Sequence, residues 1–199
     1  TVKPTAAYAG SGAITASTGA VSITGGTSVA PTGAIKAAGK ITLSGSGAIS
    51  TATNAMLTSS TDAVDISTTG GAVTLDKAVS ASTYIVSFVN GASVTATNTS
   101  NSITSVTITN SALILKTTAA LTVNTSSLSG VTTLQTVAAT KDITVSGAIS
   151  NNTNSNTLTL MASGDILVSA AIAGASGKSL ATNFYSDVDS TGGGGFKST

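Results

Sequence analysis

The 199-residue chain carries eight Lys and seven Asp, a formal net charge of +1, and no Arg, Glu, Cys, His or Trp. Without Cys or His it has no disulfide framework, thiolate metal site or imidazole base, and its near-neutral charge excludes electrostatic capture of nucleic acid or of an anionic membrane. The mean hydropathy of +0.40 comes largely from Ala, and no apolar stretch approaches the ~18 residues of a membrane-spanning helix.

Short segments in which apolar residues alternate with Ser or Thr recur along the chain. In residues 142–146, Ile143 and Val145 point to one side of the strand, and the Thr and Ser beside them point to the other. This is the period of a half-buried β-strand. Common helix formers are scarce. The pattern predicts strands over residues 20–24, 40–44, 63–67, 72–76, 84–89, 105–109, 112–116, 120–124, 142–146 and 156–160.

Gly and Asn separate these segments and predict sharp corners. Gly-Gly pairs occur at 25–26 and 70–71, and Asn90 is followed by Gly. Such residues tolerate positive φ angles, which tight turns require. The tripeptide Gly-Ala-Ile recurs at 12–14, 33–35, 47–49 and 147–149. We expect its Gly to turn the chain and its Ile to enter the core.

An internal repeat decides the predicted fold. The segment KDITVSGAI at 141–149 returns as GDILVSAAI at 164–172, and a looser copy, KITLSGSGAI, lies at 40–49. Repeats of this length are typical of solenoids. We therefore predict an all-β fold, a parallel β-helix (β-solenoid) of about 22 residues per turn and about nine turns, with a β-sandwich or mixed β array as the alternative. Residues 1–199 are predicted to form a single domain with a less regular middle section at about 83–137.

The C-terminal part of the chain carries a family resemblance. Residues 141–172 and 179–196 alternate Gly-Asp-Ile-type strands, Asn and Gly corners, a Thr-Leu-Thr-Leu strand and an Asp- and Gly-rich corner. In this rhythm the chain resembles the filamentous-haemagglutinin-like, two-partner-secreted exoproteins and related giant repeat adhesins of bacteria. The resemblance implies a right-handed parallel β-helix on a bacterial cell surface.

Two pairs of carboxylates are the candidates for chemistry. Asp62 and Asp65 could serve a glycosidase or lyase, but the Arg or His that would hold a sugar acid is missing. We expect them at an exposed corner and an outward strand position, and no enzymatic activity. Asp187 and Asp189 precede glycines and suggest Ca²⁺, but a third acidic ligand is missing at Thr191, so an Asx-type turn is preferred. No catalytic, cofactor-binding or metal residue is therefore assigned, and no cofactor is expected.

Aromatic and hydroxyl side chains have plainer interpretations. Tyr84, Phe88, Phe184 and Tyr185 are predicted to fill the core or close the end of a turn, with exposure of Tyr185 as the alternative. Outward Thr residues suit strands and solubility; ordering of water on ice or stacking against glycans is the alternative interpretation. Asp142 and Asp165 are predicted to be residues of the corners at which strands begin.

The sequence predicts an extracellular structural protein that presents a Thr- and Ser-rich surface. It is either a cell-surface adhesin segment or a filament subunit that stacks head to tail on copies of itself. The alternatives are a β-helical carbohydrate-binding or carbohydrate-active (tailspike-like) protein and a functional amyloid. Surface glycans are possible partners, whereas nucleic acid binding and membrane insertion are not expected. Because Thr1 is not a Met, we expect the chain to begin after a processing site or within a longer polypeptide. The sequence equally leaves two alternatives for Thr199, a natural C-terminus or a point within a longer chain.

Overall fold

The computed structural model describes residues 1–51, 55–90 and 93–198, and their side chains except those of 82–87. Within these residues it contains strands, turns and bends but no helix. The strands are β1 (Ile14–Ala16), β2 (Val21–Gly25), β3 (Ile35–Ala37), β4 (Ile41–Gly45), β5 (Ile49–Thr51), β6 (Leu57–Ser59), β7 (Val64–Thr68), β8 (Val73–Leu75), β9 (Val79–Val89), β10 (Val94–Ala96), β11 (Ser102–Ser111), β12 (Leu113–Thr117), β13 (Leu121–Val123), β14 (Ser126–Leu128), β15 (Thr132–Thr136), β16 (Ile143–Val145), β17 (Ile149–Asn151), β18 (Ser155–Met161), β19 (Ile166–Val168), β20 (Ile172–Gly174), β21 (Ser179–Tyr185) and β22 (Phe196–Ser198).

Each strand pairs with a strand of a neighbouring turn, and the pairing is parallel throughout the described residues. In the seven-stranded sheet, which runs β5-β8-β10-β12-β15-β18-β21, Ile49 pairs with Val73 and Val73 with Val94. The other sheet has 15 strands in the described part of the chain. This arrangement confirms the parallel β-solenoid and makes the β-sandwich alternative wrong, because sandwich sheets pair antiparallel strands.

The solenoid has about seven turns, fewer than the nine expected from chain length. The first turns are one reason: Tyr8 pairs with Val29 and Val29 with Ile49 only through isolated bridges, so that these positions form no regular strand of the seven-stranded sheet. The internal repeat also follows the turns, since Ile143 lies directly beside Ile166 in the register. The repeat therefore maps one turn onto the next.

A narrow apolar core runs along the inside of the turns. In β4, Ile41 and Leu43 are fully buried while Thr42 between them is only half-buried, as the period of two requires. The same alternation recurs in most strands, and the buried residues form a single cluster from Val21 to Ile166. Small aliphatic side chains fill this space, and each fully buried one contributes about 1.5–3 kcal/mol. Phe88 is the largest of the fully buried side chains.

The cross-section of the solenoid changes in the middle of the chain. β6 and β7 are two strands separated by a corner, but both pair with the single long strand β9. The next turn is again one long strand, β11, which then pairs with the two shorter strands β13 and β14. Register shifts accompany these changes between β9 and β11 and between β11 and β14. The corner is thus removed for two turns and then formed again.

The glycines of the Gly-Ala-Ile tripeptides have a different role from the one predicted. Only Gly70, Gly177, Gly192 and Gly193 are glycines with positive φ in the described residues. Gly47 and Gly147 are required because a Cβ would lie 2.3 Å from Thr27 O and 2.0 Å from Thr125 N, respectively, in the preceding turn. Here glycine permits close stacking of turns rather than an unusual turn conformation. The tripeptide Ile residues do begin strands, as Ile49 does for β5.

Candidate functional site

The outer surface of the seven-stranded sheet is rich in hydroxyl groups. One outward column runs from Ser50 through Thr74 to Thr95 and continues with Ile114, Thr133, Thr159 and Asn183. Ile114, whose side chain is exposed, interrupts the hydroxyls. The strands therefore hold Ser and Thr about 4.8 Å apart along the axis, but not as an unbroken threonine ladder.

Asp62 and Asp65 lie where the sequence placed them. Asp62 is exposed at the corner before β7, and one of its carboxylate oxygens accepts a hydrogen bond from the N–H of Ala63 (2.7 Å). Asp65 lies at an outward position of β7 and pairs with Lys40 of the preceding turn. The hydrogen bond that Lys40 donates to Asp65 raises the pKa of Lys40, against the opposing effect of partial burial. Each carboxylate is thus engaged by a separate partner.

Asp187 and Asp189 form the predicted type of turn. Asp187 Oδ1 accepts from the N–H of Gly192 (3.0 Å), and Asp189 Oδ1 accepts from the hydroxyl of Thr191 (3.0 Å). Asp189 Oδ1 also accepts from the backbone N–H of Thr191 (3.3 Å), and this bond to the backbone two residues on is the Asx-type pattern. No cluster of three or more His, Cys, Asp or Glu residues that could hold a metal ion occurs in the described part of the chain. The loop's own donors thus engage one oxygen of each carboxylate, whereas Asp189 Oδ2 is buried without a hydrogen-bond partner among the described residues.

Asp142 and Asp165 occupy equivalent places in successive turns, just before β16 and β19. Asp165 Oδ1 accepts a hydrogen bond from the N–H of Gly195 (2.8 Å), and Oδ2 pairs with Lys197. The hydrogen bonds from Lys197 and Gly195 lower the pKa of Asp165, and the bond to Asp165 raises the pKa of Lys197. These carboxylates join turns to each other, in agreement with their predicted role as corner residues.

The aromatic residues divide between core and surface. Phe88 is fully buried, as predicted, and Phe184 is partly buried against the core. For Tyr185 the predicted core or end-of-turn position is wrong and the alternative, exposure, is confirmed: 51% of it is exposed, because it occupies the outward position of β21 paired with Met161. The side chain of Tyr84 lies outside the described residues.

Phe184 also stacks on Phe196, a contact that the sequence did not indicate. Their ring centroids lie 5.1 Å apart with an interplanar angle of 15°. Phe196 is 52% exposed and begins β22, which pairs on one side with β19. The last described turn thus presents an aromatic pair beside the core.

One open groove that the sequence did not indicate lies along the corner that follows β2, β4 and β7. This corner groove has a volume of about 490 Å³ and is defined by Thr24, Gly25, Gly26, Ser44, Gly45, Ser46, Ser67, Thr68, Thr69, Val89 and Asn90. It crosses four successive turns. The available signal was the recurrence of a hydroxyl residue followed by Gly at 24–25 and 44–45, but only stacking of the turns brings these positions together.

None of the described residues forms a helix long and apolar enough to cross a membrane. In the comparisons with known proteins, no family model matches the chain. No curated protein sequence and no solved structure matches it either. The chain is thus a parallel β-solenoid whose outer face carries hydroxyl groups, and most of its carboxylates bind other groups of the same chain.

Proposed function

We propose that this chain is an extracellular structural protein of the bacterial cell surface, an adhesin-like solenoid that presents its Thr- and Ser-rich face. The observation that carries the proposal is the outward column from Ser50 through Thr74 and Thr95 on a sheet held by one continuous core. A solenoid of this kind is an extended, regular surface, and hydroxyl side chains keep that surface hydrated without giving it charge.

The state of the carboxylates supports a structural role over a catalytic one. General acid–base catalysis needs a carboxyl group that is free to reach a substrate. Asp65 and Asp165 are paired with lysines, and Asp142 and Asp187 accept hydrogen bonds from backbone N–H groups. These groups contribute to folding instead.

The last described turn supports end-to-end stacking as the second part of the proposal. β21 and β22 pair with β18 and β19 on one side, and Phe196 is half-exposed on the other. Unpaired strand edges and an open core favour a further turn of the same geometry. We propose that such a turn covers this face, supplied by more of the same polypeptide or by the next copy in a filament.

Labelling of intact producing cells with an antibody to the chain tests the surface location. We expect labelling that is lost when the cells are treated with protease before the antibody is added. A chain found only after the cells are broken would overturn the proposal.

Negative-stain electron microscopy of the purified chain tests the stacking. Threads of constant width support self-stacking, and their length should fall when Phe196 is changed to Lys. Uniform short particles would reject the filament, and the remaining alternative would be that the chain is a segment of a longer solenoid.

A further inference from the structure

Glycines line part of the corner groove, and two of them are required by the packing of the turns. A Cβ on Gly25 would lie 2.2 Å from Ser28 O, and one on Gly26 would lie 2.2 Å from Thr5 O, so both residues must be glycine. A Cβ on Gly45 would meet Gly25 O at 3.5 Å and Val29 Cγ2 at 3.6 Å, which is ordinary contact. Because Val29 is fully buried, a side chain at Gly45 would point inward rather than into the groove.

The next turn shows where a side chain at this position goes. Gly45 pairs in register with Thr68, whose hydroxyl donates to Gly47 O (2.7 Å). Thr68 is only 3% exposed, so its side chain lies inside the turn. The side chains that face the groove are therefore hydroxyl residues at the outward positions of the same strands and at the corner after them: Thr24, Ser44, Ser67, Ser46 and Thr69.

The hydroxyl groups around the groove are mostly hydrogen-bond acceptors toward a ligand. Ser46 donates its proton to Gly26 O, and Thr69 donates to Ser46 O (3.1 Å). A hydroxyl has one proton and two lone pairs, so each of these groups keeps acceptor capacity after making its bond. Ser44 donates to the oxygen of Thr24 (3.0 Å), which leaves the Thr24 proton for another acceptor. A ligand that fits must bring several donors and a few acceptors.

The groove has no charged residue among those that line it. A phosphate, sulfate or carboxylate would find neither Lys nor Arg there, and a cation would find no carboxylate. Sugar hydroxyl groups, which both donate and accept, match the hydroxyl side chains, and the C–H faces of a sugar ring match the glycine floor and Val89. The chemistry of the lining selects a neutral carbohydrate.

The direction of the groove favours a linear polymer along the solenoid axis. Thr24, Ser44 and Ser67 are register partners in successive turns, and Val89 follows them. Four positions at about 4.8 Å spacing span about 14 Å, so one sugar unit would meet roughly one turn. A peptide strand would need a free row of backbone N–H and C=O groups, whereas here β4 is paired on both sides with β2 and β7.

We propose that the corner groove binds a neutral, linear oligosaccharide that lies along the solenoid axis. Ser46, Thr69 and Thr24 of the lining provide hydrogen bonds. The inference rests on the adhesive role proposed above for its biological setting, since a cell-surface adhesin needs a place where a glycan is held. The binding itself is a property of the purified chain.

The test is isothermal titration of the purified chain with cellotetraose, xylotetraose and mannotetraose, and with tetragalacturonate as the acidic counterpart. We expect at least one neutral tetrasaccharide to bind with a Kd below about 1 mM, and the acidic one to bind at least tenfold more weakly. Backbone amide signals of Gly25, Gly45 and Ser46 should shift on titration in NMR spectra. Failure of all neutral probes, or preference for the acidic one, would overturn the proposal.

The Ser46→Ala/Thr69→Ala double variant removes two of the hydroxyl groups assigned to the ligand. We expect at least a tenfold loss of affinity in a chain that still unfolds cooperatively. Thr74→Ala/Thr95→Ala is the matched control, because both hydroxyl groups lie on the outward column of the seven-stranded sheet and outside the groove. If the double variant does not fold, Thr69→Ala alone replaces it, with a smaller loss expected. If a folded groove variant binds with unchanged affinity, the ligand binds elsewhere on the chain, and the proposal that the groove is the binding site is rejected.

The outcome is separable from that of the proposed function. Tetrasaccharide binding by a chain that never reaches the cell surface would uphold the groove and reject the adhesive role. Surface labelling of a chain that binds none of the neutral probes would do the reverse.

Discussion

The carboxylate of Asp142 accepts a hydrogen bond (2.7 Å) from the backbone N–H of Asp165, the residue at the same place one turn later. Asp165 repeats the contact with the N–H of Gly195. Gly164 makes room for it, since a Cβ there would lie 2.3 Å from Asp142 Oδ1. The Asp of the sequence repeat is therefore a link between turns, in which each copy binds the backbone of the copy that follows.

Replacing Asp142 with Ala should destabilise the protein by about 1–2 kcal/mol, because the N–H of Asp165 loses a charged acceptor in a half-buried place. Asp142→Asn, which keeps an acceptor oxygen, should lose less. Urea unfolding followed by circular dichroism measures both. Asp76→Ala, at an exposed residue, should stay within about 0.5 kcal/mol of the parent. Equal losses at Asp142 and Asp76 would contradict the link.

The pair of Asp165 and Lys197 should make stability depend on acidity. The pKa of Asp165 is lowered in the folded chain by Lys197 and Gly195, so the carboxylate contributes stability when ionised. That contribution is complete above the unfolded-state pKa of about 3.9. It shrinks as the pH falls and is gone below the lowered folded-state pKa. The melting temperature of Asp165→Asn should be below that of the parent near neutral pH, with the difference closing under acid. A pH-independent difference would refute the assignment.

Asn101 should be among the polar residues least tolerant of change. It is fully buried, and its side-chain oxygen accepts from the N–H of Val79 (2.8 Å) while its amide donates to Ala96 O (2.9 Å) and Lys116 O (3.0 Å). Asn101→Ala leaves three backbone groups unsatisfied, so we expect a loss of about 3 kcal/mol or more. Asn98→Ala, at a half-buried neighbour whose side chain bonds Asp76 O and the N–H of Ser100 near solvent, should cost about 1 kcal/mol or less. A loss below 1 kcal/mol for Asn101→Ala in chemical denaturation would show that water replaces the amide.

Two glycines of the same tripeptide motif should respond differently to alanine. A Cβ on Gly147 would lie 2.0 Å from Thr125 N, whereas a Cβ on Gly12 would meet nothing within 4 Å. We expect Gly147→Ala to cost about 2 kcal/mol or more through overpacking of adjacent turns, and Gly12→Ala to be nearly neutral. Thermal melting of the two variants side by side decides this. Similar melting temperatures would mean that the turns can move apart at little cost.

The core should accept a smaller aliphatic residue in place of Phe88. Phe88 lies in register between Ile66 and Ile108, and all three are buried. Phe88→Ala should cost about 3–5 kcal/mol through the cavity it leaves. Phe88→Ile, which continues the column of Ile, should cost under about 2 kcal/mol. Guanidinium unfolding compares the two, and an isoleucine variant as unstable as the alanine variant would show that the middle turns require the ring.

Much of the local structure could be read from residue order. The predicted strand over 40–44 is β4 shifted by one residue, and the strand over 156–160 lies within β18. The alternation of apolar and hydroxyl residues is a local property that survives in any β-fold. Some three-residue strands, such as β3 and β10, were missed, whereas β13 and β16 of the same length lie within predicted segments. The second inward residue of β3 and β10 is Ala, which gives a weaker apolar signal than the Val at that place in β13 and β16.

The candidate site could be predicted only in part. Asp62 and Asp65 were correctly placed at the surface, since charge and corner position suffice for that. The corner groove was not foreseen, because Thr24, Ser44 and Ser67 lie 20 or more residues apart and meet only through register. The burial of Asn101 was equally hidden, as its three partners come from three different segments.

The sequence by itself determined that this protein is an all-β repeat with a small aliphatic core and a hydroxyl surface, because those traits follow from side-chain chemistry and a period of two. The tertiary structure decided which residues become neighbours across turns. It joined β6 and β7 onto β9 and closed turns tightly over Gly147. At Gly45, by contrast, it left room for a side chain, since a Cβ there would meet nothing closer than 3.5 Å. Such contacts depend on the number of residues in each turn of the solenoid. A single insertion between strands would change which residues meet while leaving every local pattern intact.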